Sequence, residues 1–429
     1  MRVLVFSQAS WNTVNSVGNT LTNWFDGWEE AQFFHFYARQ QKPNTKIVDT
    51  YYHLSAIEIL KGSLLGRQTG TMFNASELIF EDSNEKTEKE QSQIAKLHRN
   101  KKEIVYWGME KVWLSKKWIN SSFDRFVGVA NPDVIFAFAT NSYILEPAIK
   151  HIKQSYPDVK VILYIADDPQ AEYENHAWYR RGYLKKGIDY CFNVADKLYG
   201  ASVEMCEKYS SIYGKEVTPL YKGCTFERSV KKKNNDILRL VYAGNLLYGR
   251  KETLIEIAKS LTKINELGVK AVLEVYSNTP IDEDEKRQWF DNINAYYMGV
   301  RPYDEIKTIL NEADIVLHVE SFEEDRMKAV KYSFSTKIID CLQSGSVVVG
   351  IGPSGIASIE YIRKVDGAIT IDNNSDIYRE LSNLIDHKDT FLSRANATRE
   401  YAIQHHEINA VRRKLHSDFI SIINKPSRE

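Results

Sequence analysis

Thr336, Lys337 and Asp340 stand three and four positions apart in Tyr332-Ser-Phe-Ser-Thr-Lys-Ile-Ile-Asp-Cys-Leu-Gln-Ser-Gly345. That spacing puts all three on one face of a helix. Ile338, Cys341 and Leu342 fall on the opposite face and are expected to pack down. Ser333 or Ser335 is the expected cap, and Gly345 suits a left-handed helix end. A helix start offers free amides and the positive end of a dipole, which suits a phosphate. A carboxylate one turn further in, Asp340, can accept hydrogen bonds from two sugar hydroxyls. The stretch therefore has the chemistry to hold a nucleoside diphosphate. The same residues also suit a well-capped core helix with a solvated Lys and Asp.

Arg250 and Lys251 follow Gly244-Asn-Leu-Leu-Tyr-Gly249, between an apolar run and a helical pattern. A glycine loop of this kind, with Gly244 and Asn245 at its start, is a phosphate-site arrangement. Basic side chains at a helix start oppose its dipole, so both are expected to face an anion. Gly244 to Gly249 has the spacing of a P-loop. The residues that follow are Arg-Lys-Glu, with no Ser or Thr to hold magnesium, which excludes a P-loop ATPase. Two further sets belong to the first half of the chain. Asp167 and Asp168 end an apolar run and start an Asp-Asp-Pro turn, where carboxylates can act as a base, bind sugar hydroxyls or bind a metal. Gly18 and Asn19 lie in a polar loop after the first strand and are expected to form a tight turn before a helix near Thr20. This loop is not G-x-G-x-x-G, which argues against a nicotinamide cofactor. Asp282-Glu-Asp284 has the spacing of a metal site, but in its run of charges it reads as a solvated helix start. His318 and Glu320 close another apolar run, and His318 equally suits a satisfied core histidine.

These residues need strands to place them. The expected strands are Arg2–Ser7, Asp133–Phe138, Lys160–Ile165, Tyr190–Val194, Leu238–Ala243, Ala271–Tyr276, Ile315–Val319 and Val347–Ile351. Helical patterns fall between most of them, which predicts a doubly wound α/β arrangement. With 429 residues the chain is too long for one ordinary core. A polar, charged segment at 224–236 marks the expected break. The predicted parts are an N-terminal domain over 1–225, a second domain over 236–400, and a C-terminal helix over 401–429 packing back on the first. Residues 84–126 read as a helical insertion. From Lys96 to Lys117 its bases (Lys96, Arg99, Lys101, Lys102, Lys111, Lys116, Lys117) outnumber its acids, with Trp107, Trp113 and Trp118 interleaved. A basic helix bearing Trp suits an anionic membrane surface, its rings at headgroup level, so peripheral contact through 96–118 is one expectation. A helix packed on its own domain, lysines in water, is the other.

Formal net charge is −1, so no global field points to nucleic acid. The cysteines, Cys191, Cys206, Cys224 and Cys341, have no metal-like spacing and suit reduced thiols in the cytoplasm. No signal-peptide pattern precedes the first strand, and no apolar run approaches the ~20 residues of a membrane span.

In order and spacing, Val241–Arg250, Met298–Ile306 and Ser335–Gly345 resemble the retaining, metal-independent glycosyltransferases of GT-B fold, above all the family 4 type of bacterial capsule and exopolysaccharide synthesis. Asp133-Val-Ile-Phe136 and Asp167-Asp168 fit more loosely. The likeness covers most of 238–352 and the first half in outline. It implies two Rossmann-like domains whose parallel sheets face across an interdomain cleft. It implies transfer of a sugar from a nucleotide diphosphate sugar, UDP-sugar foremost, to a saccharide or lipid-linked saccharide, with no cofactor and no metal. Arg250 and Lys337 would neutralise the leaving diphosphate. The Ser335 and Thr336 amides would hold its distal phosphate, and Asp340 the ribose hydroxyls. Gly18 and Asn19 would approach the phosphates or the acceptor. The family's Glu-x7-Glu pattern is broken here, since Tyr332 stands eight positions before Asp340. The first acidic role then falls to Glu320 or another neighbour, or is unfilled. A 2-epimerase or phosphorylase of the same fold, or a non-catalytic nucleotide-binding partner in polysaccharide assembly, are the alternatives.

Overall fold

Buried, β-branched and aromatic runs form the strands of two separate sheets in the computed structural model, which describes residues 1–78, 103–226, 235–292 and 294–426. The chain divides into two compact units. The first takes in Met1–Ala201, Cys206–Leu220 and Arg412–Glu429, and the second Ser202–Met205 and Tyr221–Val411.

The strands of the first unit are β1 (Arg2–Ser7), β2 (Gln32–Tyr37), β3 (Val48–His53), β4 (Thr71–Asn74), β5 (Val134–Phe138), β6 (Lys160–Ile165), β7 (Lys197–Gly200) and β8 (Val217–Pro219). They lie in the order β4-β3-β2-β1-β5-β6-β7-β8, parallel except for β4. Every residue of β5 and β6 is buried, as expected for strands covered on both faces. The helix Ile408–Ile423 adds Phe419 to this core, with its ring 5.8 Å from Phe25 and 6.0 Å from Phe136.

The second unit contains β9 (Leu238–Ala243), β10 (Ala271–Tyr276), β11 (Asp291–Asn292), β12 (Ala295–Gly299), β13 (Ile315–Val319), β14 (Val347–Ile351) and β15 (Ile369–Ile371). Their order is β11-β12-β10-β9-β13-β14-β15, parallel except for β11. From β9 the chain moves outward through β10 and β12, then returns to the other side of β9 at β13. Strand order therefore reverses between β9 and β13, and the crevice beyond the carboxyl ends of such a pair is where open α/β sheets bind ligands. Both sheets with their covering helices match the doubly wound expectation.

Two readings of the strands need correction. Tyr190–Val194 is not a strand but the end of the helix Trp178–Val194. Its buried Leu184, Ile188, Cys191 and Phe192 recur at helical spacing, and the strand follows as β7. The strands β2 and β3 were not expected, because their aromatic and His side chains do not form a plain aliphatic run. The change of unit falls at Tyr221, ahead of the polar segment, of which 227–234 lie outside the described residues. Cys224 bridges in parallel to Glu407, with its amide donating to His406 O at 2.7 Å, and this ties 221–226 to the second unit.

Lys96, Arg99, Lys101 and Lys102 lie outside the described residues. Trp113 and Trp118 do not reach the surface. They are buried against Phe36, and Trp118 Nε1 donates to Trp113 O at 2.8 Å. Among the described residues no helix is long and apolar enough to cross a membrane.

Candidate functional site

The loop after β9 is built for close approach. Tyr242 Oη donates to Asn245 O at 2.6 Å and folds the backbone over its own strand. A Cβ on Gly244 would lie 2.5 Å from Tyr242 Oη and 2.9 Å from Lys337 Nζ, so no larger residue fits without displacing the amine. Gly249 sits at φ +76°, where a side chain would also meet Ser321 Oγ at 2.3 Å. The helix Arg250–Ile264 starts there.

Arg250 spans the point of strand reversal. Its Nε and Nη2 donate to the two Glu320 oxygens at 3.1 and 3.0 Å, and Nη1 donates to Asn245 Oδ1 at 2.8 Å. Glu320 directly follows β13 and is 1% exposed. Burial pushes its carboxyl up, but His318, 3.1 Å away, and Arg250 outweigh burial and hold it below the usual range. A guanidinium carries five N–H groups. Glu320 takes two of them and Asn245 a third, which leaves one pair for a ligand. The anion expected opposite Arg250 is thus already present in the protein. Glu320 is engaged by Arg250 and His318 and is poorly placed to serve as a sugar-binding acid. Lys251 belongs to another group, with its Nζ 2.8 Å from both Glu285 oxygens.

Lys337 opens the short helix Lys337–Gln343, whose buried Ile338, Ile339, Cys341 and Leu342 pack with β13 and the helix Phe391–His406. Burial, helped by repulsion from Arg250, brings its ammonium down to about 8. Asp340, one turn on, has its carboxyl raised by burial, with Lys222 and Tyr303 opposing. Tyr303 Oη donates to Asp340 Oδ1 at 2.8 Å. Neither serine caps this helix. Thr336 stands at the N-cap in αR geometry and makes no side-chain cap. The Ser335 amide, expected to face a phosphate, donates to Ser358 Oγ at 3.2 Å. The Thr336 amide has no partner among the described residues. The backbone before the helix is already turning, so a hydroxyl there cannot fold back onto the first amides, and Ser358 holds the turn from the neighbouring helix.

Gly244, Asn245, Arg250, Lys337 and Asp340 therefore gather at the carboxyl ends of β9 and β13. Reasoning from sequence missed Lys222 and Tyr303. Tyr303 lies inside a quoted stretch, Met298–Ile306, and proximity to Asp340 is its only distinguishing sign. Lys222 carried no signal at all.

In the first unit, Gly18 and Asn19 are not a turn. They lie inside the helix Ser16–Phe25, which Asn15 caps by accepting from Gly18 N at 2.7 Å. A Cβ on Gly18 would meet Asn12 O at 2.2 Å, so glycine is required where the preceding loop crosses the helix. Asp168 caps the helix Pro169–Glu174 and is held by Lys208 Nζ at 2.8 Å and Tyr209 Oη at 2.6 Å. Both carboxylate oxygens thus have structural partners. Asp282 caps the helix Glu283–Trp289, as its charge run implied. Among the described residues no group of three or more His, Cys, Asp or Glu is placed to hold a metal ion.

The architecture defines the class: two parallel-sheet α/β units in the GT-B fold. Solved structures of GT-B glycosyltransferases superpose over nearly the whole chain. HepE of Anabaena in complex with UDP shares 11% identity, covering 98% of this chain and 100% of its own, with a TM-score of 0.63. HepE in complex with UDP-glucose gives 10% identity over 98% and 100%, at a TM-score of 0.60. Sucrose-phosphate synthase from Thermosynechococcus elongatus gives 8% identity over 98% and 99%, at 0.64. At these identities the likeness is one of fold. No protein-family model and no curated protein matches the sequence.

Proposed function

We propose that the chain is a glycosyltransferase that takes a sugar from a nucleotide diphosphate sugar, UDP-sugar foremost. The observation that carries this reading is the meeting of Arg250 and Lys337 over the Gly244 loop, where strand order reverses. HepE, with the same fold, is complexed with UDP and with UDP-glucose, which supports the choice of donor. In the proposed step the bond from the sugar's anomeric carbon to the phosphate oxygen breaks, and its electron pair leaves with the diphosphate. The acceptor hydroxyl oxygen forms the new bond, and its proton passes to the departing phosphate. Attack on the face of departure retains configuration. Arg250 and Lys337 oppose the charge that grows on the leaving group, and preorganised groups of this kind supply a large share of rate enhancement. Their charge is the argument for a metal-independent reaction. Asp340 keeps one oxygen for ribose hydroxyls beside the one Tyr303 holds. The sugar is a hexose and the acceptor a saccharide or lipid-linked saccharide, in a bacterial surface glycan, on the resemblance of the motifs.

A thermal-shift panel of nucleotide sugars tests donor binding, since a bound ligand raises the melting point by mass action. Product analysis with the best donor then tests transfer. A new glycosidic bond to a second sugar is expected. The proposal fails if no nucleotide sugar shifts the melting point, or if the only product is an isomerised or phosphorolysed donor.

A further inference from the structure

Tyr248 has a backbone conformation that its own side chain disfavours. Four described residues other than glycine have positive φ: Lys116, Asn131, Asn141 and Tyr248, at 60°, 37°, 54° and 57°. Asparagine tolerates this region, because its short side chain bonds locally, whereas a bulky ring there is an outlier. The neighbours of Tyr248 impose it. Leu246 is buried, and its amide donates to Thr279 Oγ1 at 3.1 Å. The Leu247 amide donates to Asn245 Oδ1 at 3.2 Å, and Gly249 backs onto Ser321. Little packing offsets the strain. Tyr248 is 48% exposed, and its Oη bonds to no described residue. The ring lies beside Arg250, whose Cζ is 5.8 Å from its centroid.

Strain of this kind persists where the surroundings over-determine it, and it collects at ligand clamps. Tyr248 flanks the guanidinium that keeps one N–H pair for the diphosphate. The proposed ribose contact, Asp340, instead lies on the helix that Lys337 opens. The ring therefore belongs with the phosphate that carries the sugar. Glu320, engaged by Arg250 and His318, leaves that part of the donor without an acid. A flat apolar face with a free hydroxyl at its tip matches a pyranose, which has C–H bonds on its faces and hydroxyls at its rim. We propose that Tyr248 is a specificity-determining residue, stacking on the donor's hexose and bonding one of its hydroxyls through Oη. This rests on the donor reading of the Gly244 loop.

Calorimetric titration of the full chain with UDP, and with UDP-glucose, UDP-galactose and UDP-N-acetylglucosamine, tests the two readings separately. For the best-bound UDP-sugar, the dissociation constant relative to that of UDP should rise roughly tenfold or more in Tyr248→Ala. UDP itself should bind within about twofold of the parent, because the ring does not touch it. Tyr248→Phe keeps the ring and should fall between the parent and Tyr248→Ala. Tyr248→Asn suits the left-handed backbone, so its Tm should rise by roughly 2–4 °C while its ratio matches that of Tyr248→Ala. An unchanged ratio, an equal loss of UDP and UDP-sugar in Tyr248→Ala, or a lower Tm in Tyr248→Asn would overturn the inference and leave the donor reading standing. Failure of the parent to bind UDP or any UDP-sugar would overturn the donor reading, and this inference with it.

Discussion

Lys337 offers the sharpest test of the donor site, because its charge is poised near neutral pH. Burial and the nearby Arg250 bring it down to about 8 from 10.5. A diphosphate against it favours the charged form and should return it toward ~10. With a free-state value of 8, about 90% of the amines are charged at pH 7 and about 10% at pH 9. Affinity for UDP should therefore fall roughly tenfold between those pH values, about 1.4 kcal/mol, with close to one proton taken up on binding at pH 9. The phosphates' own second ionisation, near pH 6, lies outside this window. Folding stability without ligand should move the other way. The folded-state value lies below the unfolded one, so the unfolded chain holds the proton more tightly. The contribution of Lys337 is then least favourable below pH 8 and improves as pH rises from about 8 toward 10.5. Calorimetric titration at pH 7, 8 and 9, in two buffers of different ionisation enthalpy, measures affinity and proton uptake together. Lys337→Arg keeps its charge throughout and should flatten the profile while still binding. A wild-type affinity unchanged from pH 7 to 9, or an equal fall in Lys337→Arg, would refute the reasoning.

Arg250→Ala should reduce turnover by two orders of magnitude or more, since losing one preorganised donor costs about 3–4 kcal/mol in comparable sites. Near-parental turnover with the fold intact by circular dichroism would remove Arg250 from the mechanism. Glu320→Gln keeps the shape of the buried partner but not its charge, so we expect about 1–3 kcal/mol less stability in urea titration. The same change should tighten UDP binding, because Arg250 is then no longer neutralised, and weaker binding would contradict that. Gly244→Ala should lower donor affinity at least tenfold, because its methyl meets Lys337 Nζ and Tyr242 Oη. An unchanged dissociation constant would show that the loop yields without cost.

Much of the architecture was legible because fully buried parallel strands write themselves as aliphatic runs, as at Val347–Ile351 and Ile315–Val319. The aromatic strand Gln32–Tyr37 and the helix end at Tyr190–Val194 were misread, since a short apolar run does not state its own period. At the site, glycine spacing and helical periodicity pointed to Gly244, Lys337 and Asp340. The partners were hidden. Glu320 meets Arg250 across 70 positions of sequence, and Lys222 approaches Asp340 from the start of the second unit. Ser335 was misassigned because capping rules address a helix and its own flanks. Here Ser358, 23 positions away, satisfies the amide.

The placing of residues 412–426 has a consequence for how the chain matures. The second unit is encoded inside the first, and Phe419 closes the aromatic cluster around Phe25 and Phe136. During synthesis the inner unit has all of its residues while the outer one still lacks its closing helix. The outer unit must wait, incomplete, for residues 412–426 to leave the ribosome. A nascent chain halted before Phe419 should leave that half protease-sensitive, and a stop codon there should harm the unit that holds residues 1–201.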